Sequence, residues 1–369
     1  MLALVRALTG QGHRVELLSF PQGASVAMGG LVHHRSLPLP VGRVPPGASF
    51  AKLTLDVPFL LEAWLRMLFG RYDAVHAVEE AAHLVAPLAR LLRLPLVMDV
   101  DSSIPDQLRY SGFARRGPLP WLAQRLEAFA ARSSSAVITV CGSLTEGVRR
   151  AAPGATVFQI EDPPLVEPGG AAAPEAVAAL RAELGLDEAP VVLYSGNLEP
   201  YQGVPLLLEA MAGVPGARLL VVGGEPEERA RLETRARELG ILDRCRFAGK
   251  RPPEQLPAFL ALSAVVVSPR IAGENTPFKL YTYLAAGRPL VATRIPTHTQ
   301  LLDDALAALV EPTSEGIASG IAAVLRDPAA AAARARRGVE LIEREYSSAR
   351  YAEKVAAAYA HVVMVSGRG

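Results

Sequence analysis

The stretch VVVSPRIAGENTPFKLYTYLAAGRPLVAT, residues 265–293, runs through a β-branched segment, a turn, a helical pattern and a second β-branched segment in that order. Two short apolar runs bracketing a helix have the order of a parallel βαβ unit, whose crossover helix packs back on the sheet. Val265 to Ser268 reads as a strand end, and Leu290 to Thr293 as the next strand. Thr276 has the side chain of an N-cap, Pro277 suits a first helical turn, where its missing N–H costs nothing, and Gly287 suits the end. The helix is therefore expected to start just past the carboxyl end of the strand. Its free N–H groups and positive dipole end then make an anion site, and Lys279 in the first turn adds a point charge, with Arg270 close behind the preceding strand.

The same alternation extends in both directions. β-Branched runs occur at Val15–Leu18, Ala74–Val78, Leu96–Val100, Ala136–Val140 and Val157–Ile160 in the first half. The second half has Val191–Ser195, Arg218–Val222, Cys245–Ala248, Ala264–Ser268, Leu290–Thr293 and Ala308–Val310. Between the halves, Pro163 to Pro174 is rich in residues that deny both helix and ladder bonding. The expected fold is α/β, with two Rossmann-like domains facing each other across a cleft. The first spans 1–163, a linker 164–174, and the second 175–345, while the helical stretch 348–363 packs back on the first. Open parallel sheets bind ligands at the carboxyl ends of their strands, so a ligand is expected between the two.

The beginning of the chain departs from this pattern. Met1 to Leu8 already reads as a helix, ended by Gly10 and Gly12, whereas a doubly wound domain opens with a strand and a glycine-bearing turn. A reading frame that begins upstream of Met1 is the expectation.

Composition narrows the function. The chain has 369 residues, 50% of them hydrophobic, enough for a large core and about two domains. Lys and Arg number 38 against 37 Asp and Glu, so no global field gathers nucleic acid. Cys141 and Cys245 lie far apart, which excludes a disulfide framework and points to reduced thiols. No apolar run is long enough to span a bilayer and no leader pattern is present, so a cytoplasmic location is expected. The histidines show no ligand spacing, and no metal or cofactor is expected.

The quoted segment resembles the retaining glycosyltransferases of family 4, which have the GT-B fold. Their signature is a glutamate, seven residues and a second glutamate, followed by small residues, Gly and Pro. Glu274 stands at the first position and Thr282 at the second, ahead of Ala286-Gly287-Arg288-Pro289. The resemblance implies that Glu274 contacts the donor sugar and that position 282 faces the ribose, where Thr282 offers only a hydroxyl. It extends to Gly12-His13-Arg14-Val15 and to Tyr194 through Val204, the turn opening the second domain. In the family that turn carries an arginine and a lysine that hold the diphosphate; Asn197 and Gln202 stand there, beside Gly196 and Gly203. Pro200–Gly203 and Thr297–Gln300 are similar to stretches of bacterial branches of the family.

The resemblance implies transfer of a hexose from a nucleotide diphosphate sugar to a saccharide or lipid-linked acceptor with retention, as in bacterial cell-surface polysaccharide or glycolipid synthesis. On the donor side, Asn275, Thr276, Pro277, Phe278 and Gly223, the last in a strand-to-helix turn with Gly224, join the residues named above. On the acceptor side, Asp101 stands where relatives present a histidine, next to Ser102, and is taken with Glu274 as a catalytic candidate. His76, Glu79 and Glu80 follow another strand end. Turn and helix capping is the competing reading for Glu274, Asp101, Glu79 and Glu80, and a solvated surface charge for Lys279 and Arg270. Phe59–Phe69 and Phe113–Trp121 mix aromatics with arginine as peripheral membrane-surface segments do, with core packing the competing reading for the first. Two other functions remain open: a nucleotide-sugar epimerase of the same architecture, and a catalytically silent protein that binds sugar nucleotides or glycans.

Overall fold

The computed structural model describes residues 1–23, 25–39, 50–103, 118–170 and 172–367. The described elements begin with α1 (Leu2–Gly10), β1 (Val15–Ser19), β2 (Leu31–Arg35), α2 (Phe50–Phe69), β3 (Val75–Val78), α3 (Glu80–Leu91), β4 (Leu96–Val100), α4 (Pro118–Ser133), β5 (Ala136–Thr139), α5 (Gly142–Ala151) and β6 (Val157–Gln159). They continue with α6 (Pro174–Glu183), β7 (Val191–Ser195), α7 (Val204–Ala212), β8 (Arg218–Val222), α8 (Pro226–Glu238), β9 (Cys245–Gly249), α9 (Leu256–Leu262), β10 (Val265–Ser268), α10 (Lys279–Ala285), β11 (Leu290–Thr293), α11 (Pro296–Thr299), β12 (Ala308–Val310), α12 (Ser314–Arg326), α13 (Pro328–Leu341) and α14 (Ser348–Ser366). The fold is α/β with parallel pairing throughout. Two compact units form, Met1–Glu161 with Tyr351–Gly369, and Asp162–Arg350.

In the first unit β3-β4-β5-β6 form one ladder and β1-β2 a separate pair. The strand β2 was not expected; Leu31-Val32-His33-His34-Arg35 lacks the unbroken apolar run that marks the other strands, because it lies in a two-stranded ribbon and stays partly exposed. The period of two along a strand sends alternate side chains to opposite faces. Leu96, Met98 and Val100 of β4 pack with Val85 and Leu88 of α3 and Leu144 and Val148 of α5. Val97 turns the other way, toward Leu4 and Leu8 of α1 and Tyr351, Val355 and Val362 of α14. The aliphatic halves of α1 and α14 thus cover one face of this sheet, and Lys354 pairs with buried Glu161 at 2.6 Å.

The second unit holds a six-stranded sheet in the order β12-β11-β10-β7-β8-β9. Val192 and Tyr194 of β7 face the core under α7 and α12, while Val191 and Leu193 face the one under α6, α9 and α10. Strand order runs outward from β7 through β8 to β9, then returns to β10 on the other side of β7. The reversal makes a topological switch point between β7 and β10, the place at which open parallel sheets bind ligands. The segment after Pro163 has no regular structure, yet it is tied to this unit: Leu165 N–H donates to Thr282 Oγ1 at 3.1 Å, Gly169 N–H to Ala285 O, and Val166 joins the core. Cys141 and Cys245 are both buried and free.

Candidate donor site

The site is built on the carboxyl ends of β7, β8 and β10. After β7 the chain turns at Gly196, whose φ is +145° and whose N–H donates to Val222 O at 2.9 Å. Gly223, after β8, has φ +113°, and a Cβ there would meet Gly196 O at 2.0 Å. Gly203 has φ +73°, and its Cβ would lie 2.0 Å from Pro269 O at the end of β10. Three strand-end turns therefore meet backbone to backbone, which only glycine permits. Tyr194 and Tyr283 hold the first turn in shape. The Tyr194 hydroxyl donates to Asn197 O at 2.5 Å, and the Tyr283 oxygen accepts from Ser195 N at 2.8 Å. Burial pushes the Tyr283 hydroxyl up to about 12, so it stays a neutral partner.

Lys279 reaches into this junction. Its Nζ donates to Gln202 Oε1 at 3.0 Å and lies 4.1 Å from the centre of the Tyr194 ring, close to Gly196. Both partners are neutral. Loss of water around the ammonium, followed by repulsion from Arg270, pulls Lys279 down from the ordinary lysine range to about 7. Such a cation gains from an arriving anion, which would restore its proton and its charge balance.

Arg270 has a different job from the anion contact expected of it. It is 6% exposed, and its guanidinium donates to Ala272 O at 2.7 Å, Asn275 O at 3.0 Å and Asn275 Oδ1 at 3.1 Å while covering the Tyr201 ring. The loop 271–275 is wrapped around it, with Gly273 at φ +129° because a side chain there would strike the guanidinium. Behind the loop, Thr293 Oγ1 donates to Arg270 O, and fully buried His298 bonds Ser268 Oγ at 2.9 Å and Thr293 O at 2.7 Å. Burial pulls His298 down to about 4, which keeps it neutral. Gln300 Nε2 donates to Glu274 O at 3.0 Å and so fixes the backbone that carries the Glu274 carboxylate. The sequence signalled His298 and Gln300 only through the Thr297–Gln300 stretch, and it gave no sign of Tyr194 or Tyr283 as turn supports.

Two more expectations are corrected. Helix α10 starts at Lys279, not at Pro277, which opens a preceding turn by accepting from Leu280 N–H at 3.0 Å. Thr276 is buried rather than capping the helix. Thr282 is 2% exposed, and its hydroxyl is occupied by the Leu165 amide, so it anchors the segment after Pro163. Phe278, at 38% exposure, stands at the surface beside the site.

A family model described as a glycosyl transferase 4-like domain matches residues 1–159, and one described as glycosyl transferases group 1 matches 177–340. The chain belongs to the GT-B glycosyltransferases. Over 98% of both chains it is 26% identical to an alpha-D-kanosaminyltransferase of Streptomyces kanamyceticus. Its fold is similar to that of sucrose-phosphate synthase from Thermosynechococcus elongatus, with a TM-score of 0.80 and 22% identity over 98% of this chain and 92% of that one. It is also similar to Anabaena HepE in complex with UDP and glucose, with a TM-score of 0.77 and 19% identity over 97% and 95% of the two chains.

In this glycosyltransferase the first unit brings part of the expected acceptor side together. Glu79 caps α3 with φ +49°, a conformation costly for a side-chain-bearing residue, and Ser102 Oγ donates to its carboxylate. Asp101 and Ser102 lie just past β4, and Glu80 occupies the first turn of α3. His76 is turned inward instead: it bridges Asp99 Oδ2 at 3.1 Å and the Tyr359 hydroxyl of α14 at 2.9 Å, and so ties that helix to the sheet. Most of the expected segment Phe113–Trp121 lies outside the described residues. Among the described residues no three His, Cys, Asp or Glu side chains converge as metal ligands, and no helix is long and apolar enough to cross a membrane.

Proposed function

We propose that the chain transfers a hexose from a nucleoside diphosphate sugar to a saccharide or lipid-linked acceptor, with retention at the anomeric carbon. The observation that carries this reading is the Lys279 ammonium, held among neutral partners at the junction of three glycine turns. A diphosphate lying over Gly196 and Gly223 meets backbone rather than side chains, and its charge meets Lys279. As the bond from the anomeric carbon to the phosphate oxygen breaks, negative charge collects on the departing diphosphate, where a preplaced ammonium in a water-poor site is worth most. Glu274, on the loop shaped by Arg270 and Gln300, orients the sugar; an acceptor hydroxyl bonds to the anomeric carbon from the face that the diphosphate leaves, and its proton passes to the departing diphosphate. Asp101, Glu79 and Ser102 would bind acceptor hydroxyls.

The UDP held by the Anabaena relative supports a uridine nucleotide as the first donor to try. The test is a panel of nucleotide sugars, beginning with UDP-glucose, assayed for release of nucleoside diphosphate with and without bacterial lipid extract and oligosaccharides. Acceptor-dependent release with a new glycoside of retained configuration supports the proposal. Isomerised sugar without release means an epimerase, and binding without turnover means a silent binder.

A further inference from the structure

The stretch Ala286-Gly287-Arg288-Pro289 after α10 carries a cation that the donor site does not use. Arg288 stands at the opposite end of α10 from Lys279, just before β11, and its side chain is half-buried. Among the described residues its one hydrogen bond runs from Nη1 to Ser263 O at 3.3 Å, and no carboxylate pairs with it. Loss of water pulls Arg288 below the ordinary arginine range, with no nearby anion to push it back. A guanidinium carries five N–H donors in a rigid fork, so most of its bonding capacity is open. Arg288 lines a cavity of about 140 Å³. Leu260 of α9 forms one wall, Ala286 another, and the segment after Pro163 a third, through Val166, Gly170 and Ala172. That segment is held in place. Leu165 N–H bonds Thr282 Oγ1, Gly169 N–H bonds Ala285 O, Ser348 Oγ donates to Glu167 Oε1 at 2.8 Å, and Gly170 N–H closes a turn on Glu167 O at 2.9 Å. The cavity is therefore preformed.

The lining dictates the occupant. Among the described residues Arg288 is the one charged side chain on the cavity, and the other side chains there are apolar. A half-buried guanidinium without a counter-charge gains from an anion, and most from a carboxylate, which takes two parallel N–H bonds from the fork. Apolar walls favour carbon in the rest of the ligand. Inorganic phosphate would leave oxygens against Val166 and Leu260 with no donors to satisfy them. A cavity of about 150 Å³ accommodates a benzene ring, so the space suits a carboxylate bearing a short chain or a single ring.

We infer that Arg288 and the segment after Pro163 form a binding site for a small organic monocarboxylate, separate from the donor site. The inference is independent of the transfer reaction, because none of the lining residues belongs to the donor site. Titrating the full chain with para-fluorobenzoate at constant ionic strength, followed by fluorine NMR, should show saturable binding with a Kd on the order of 1 mM, an ordinary strength for a ligand of this size. Butyrate should compete for the same site. Arg288→Gln removes the charge and should weaken binding about tenfold or more. Ala172→Leu fills the cavity while leaving Arg288 in place, and should abolish binding with a melting temperature near the parent's, so it gives a reading even where Arg288→Gln fails to fold. Saturating UDP and Lys279→Met should both leave the titration unchanged. Absence of saturable binding overturns the inference. So do displacement by UDP, which would put the carboxylate on Lys279, equal binding by a folded Arg288→Gln or Ala172→Leu variant, or tighter binding of inorganic phosphate than of para-fluorobenzoate.

Discussion

The Lys279 ammonium donates to the Gln202 amide oxygen at 3.0 Å, across the space between the end of β10's loop and the turn that follows β7. Gln202 stands where the resemblance to family 4 leads one to expect a cation. On the proposed reading the charge absent from that turn would come from the neighbouring helix, with Gln202 aiming it.

This arrangement predicts a pH-dependent nucleotide affinity. Lys279 sits at about 7 in the free protein, and a bound diphosphate favours its protonated form. Binding above that pH therefore takes up a proton, and UDP affinity should fall as pH rises from about 7 to about 9. Lys279→Met should weaken UDP binding roughly tenfold to a hundredfold at neutral pH and flatten the profile. For the unliganded protein the sign is opposite. The unfolded chain binds more protons than the folded one between about 7 and the ordinary lysine value of 10.5, so stability should rise with pH across that window, and Lys279→Met should abolish this rise. Calorimetry in buffers of different ionisation enthalpy, with melting curves over the same range, checks both.

On the proposed reading, Glu274→Gln should keep UDP affinity and lower turnover about a hundredfold or more, because it would remove a charged contact to the reacting sugar while leaving the Gln300 bond to the backbone intact. Steady-state kinetics on the donor identified by the panel, beside UDP titration, separates the two effects. Unchanged turnover would remove Glu274 from the mechanism.

The glycine turns make a sharper distinction between strain and collision. Gly12 has φ +86° and open space around it, so Gly12→Ala should cost about 1 kcal/mol, the strain alone. Gly203→Ala adds a Cβ 2.0 Å from Pro269 O and should cost about 3 kcal/mol or more, with loss of UDP binding as the β7 and β10 loops part. Denaturant unfolding of both variants gives the comparison.

The strands were readable because most of them are buried on both faces and appear as continuous apolar runs; β4, β7, β8, β11 and β12 match the expected ranges. Strand β2 escaped because two histidines and an arginine dilute its pattern. At the site, residue types were readable but directions were not. Lys279 and Arg270 are both cations near one strand end, yet one points into the glycine junction and the other is enclosed by its own loop. That difference depends on Gly273 and on the oxygens of Ala272 and Asn275, none of which advertises a guanidinium cradle in sequence. Capping preference placed the helix start at Pro277 behind a Thr276 cap, but the loop wrapped around Arg270 is followed by a helix that begins only at Lys279.

The family's second signature position provides the last prediction. Thr282 Oγ1 accepts from Leu165 N–H at 3.1 Å in a buried setting, so this side chain ties the segment after Pro163 to α10. Thr282→Val keeps the shape and removes the acceptor, leaving a buried amide unsatisfied at a cost of about 1–3 kcal/mol. UDP affinity should stay within about twofold of the parent, because no bond to the nucleotide is lost. Thr282→Ser keeps the hydroxyl and should restore most of the stability. A Thr282→Val variant that unfolds like the parent but binds UDP tenfold more weakly would return the hydroxyl to the ribose and overturn its assignment as an anchor. Paired denaturant and calorimetric measurements on the two variants decide between these roles.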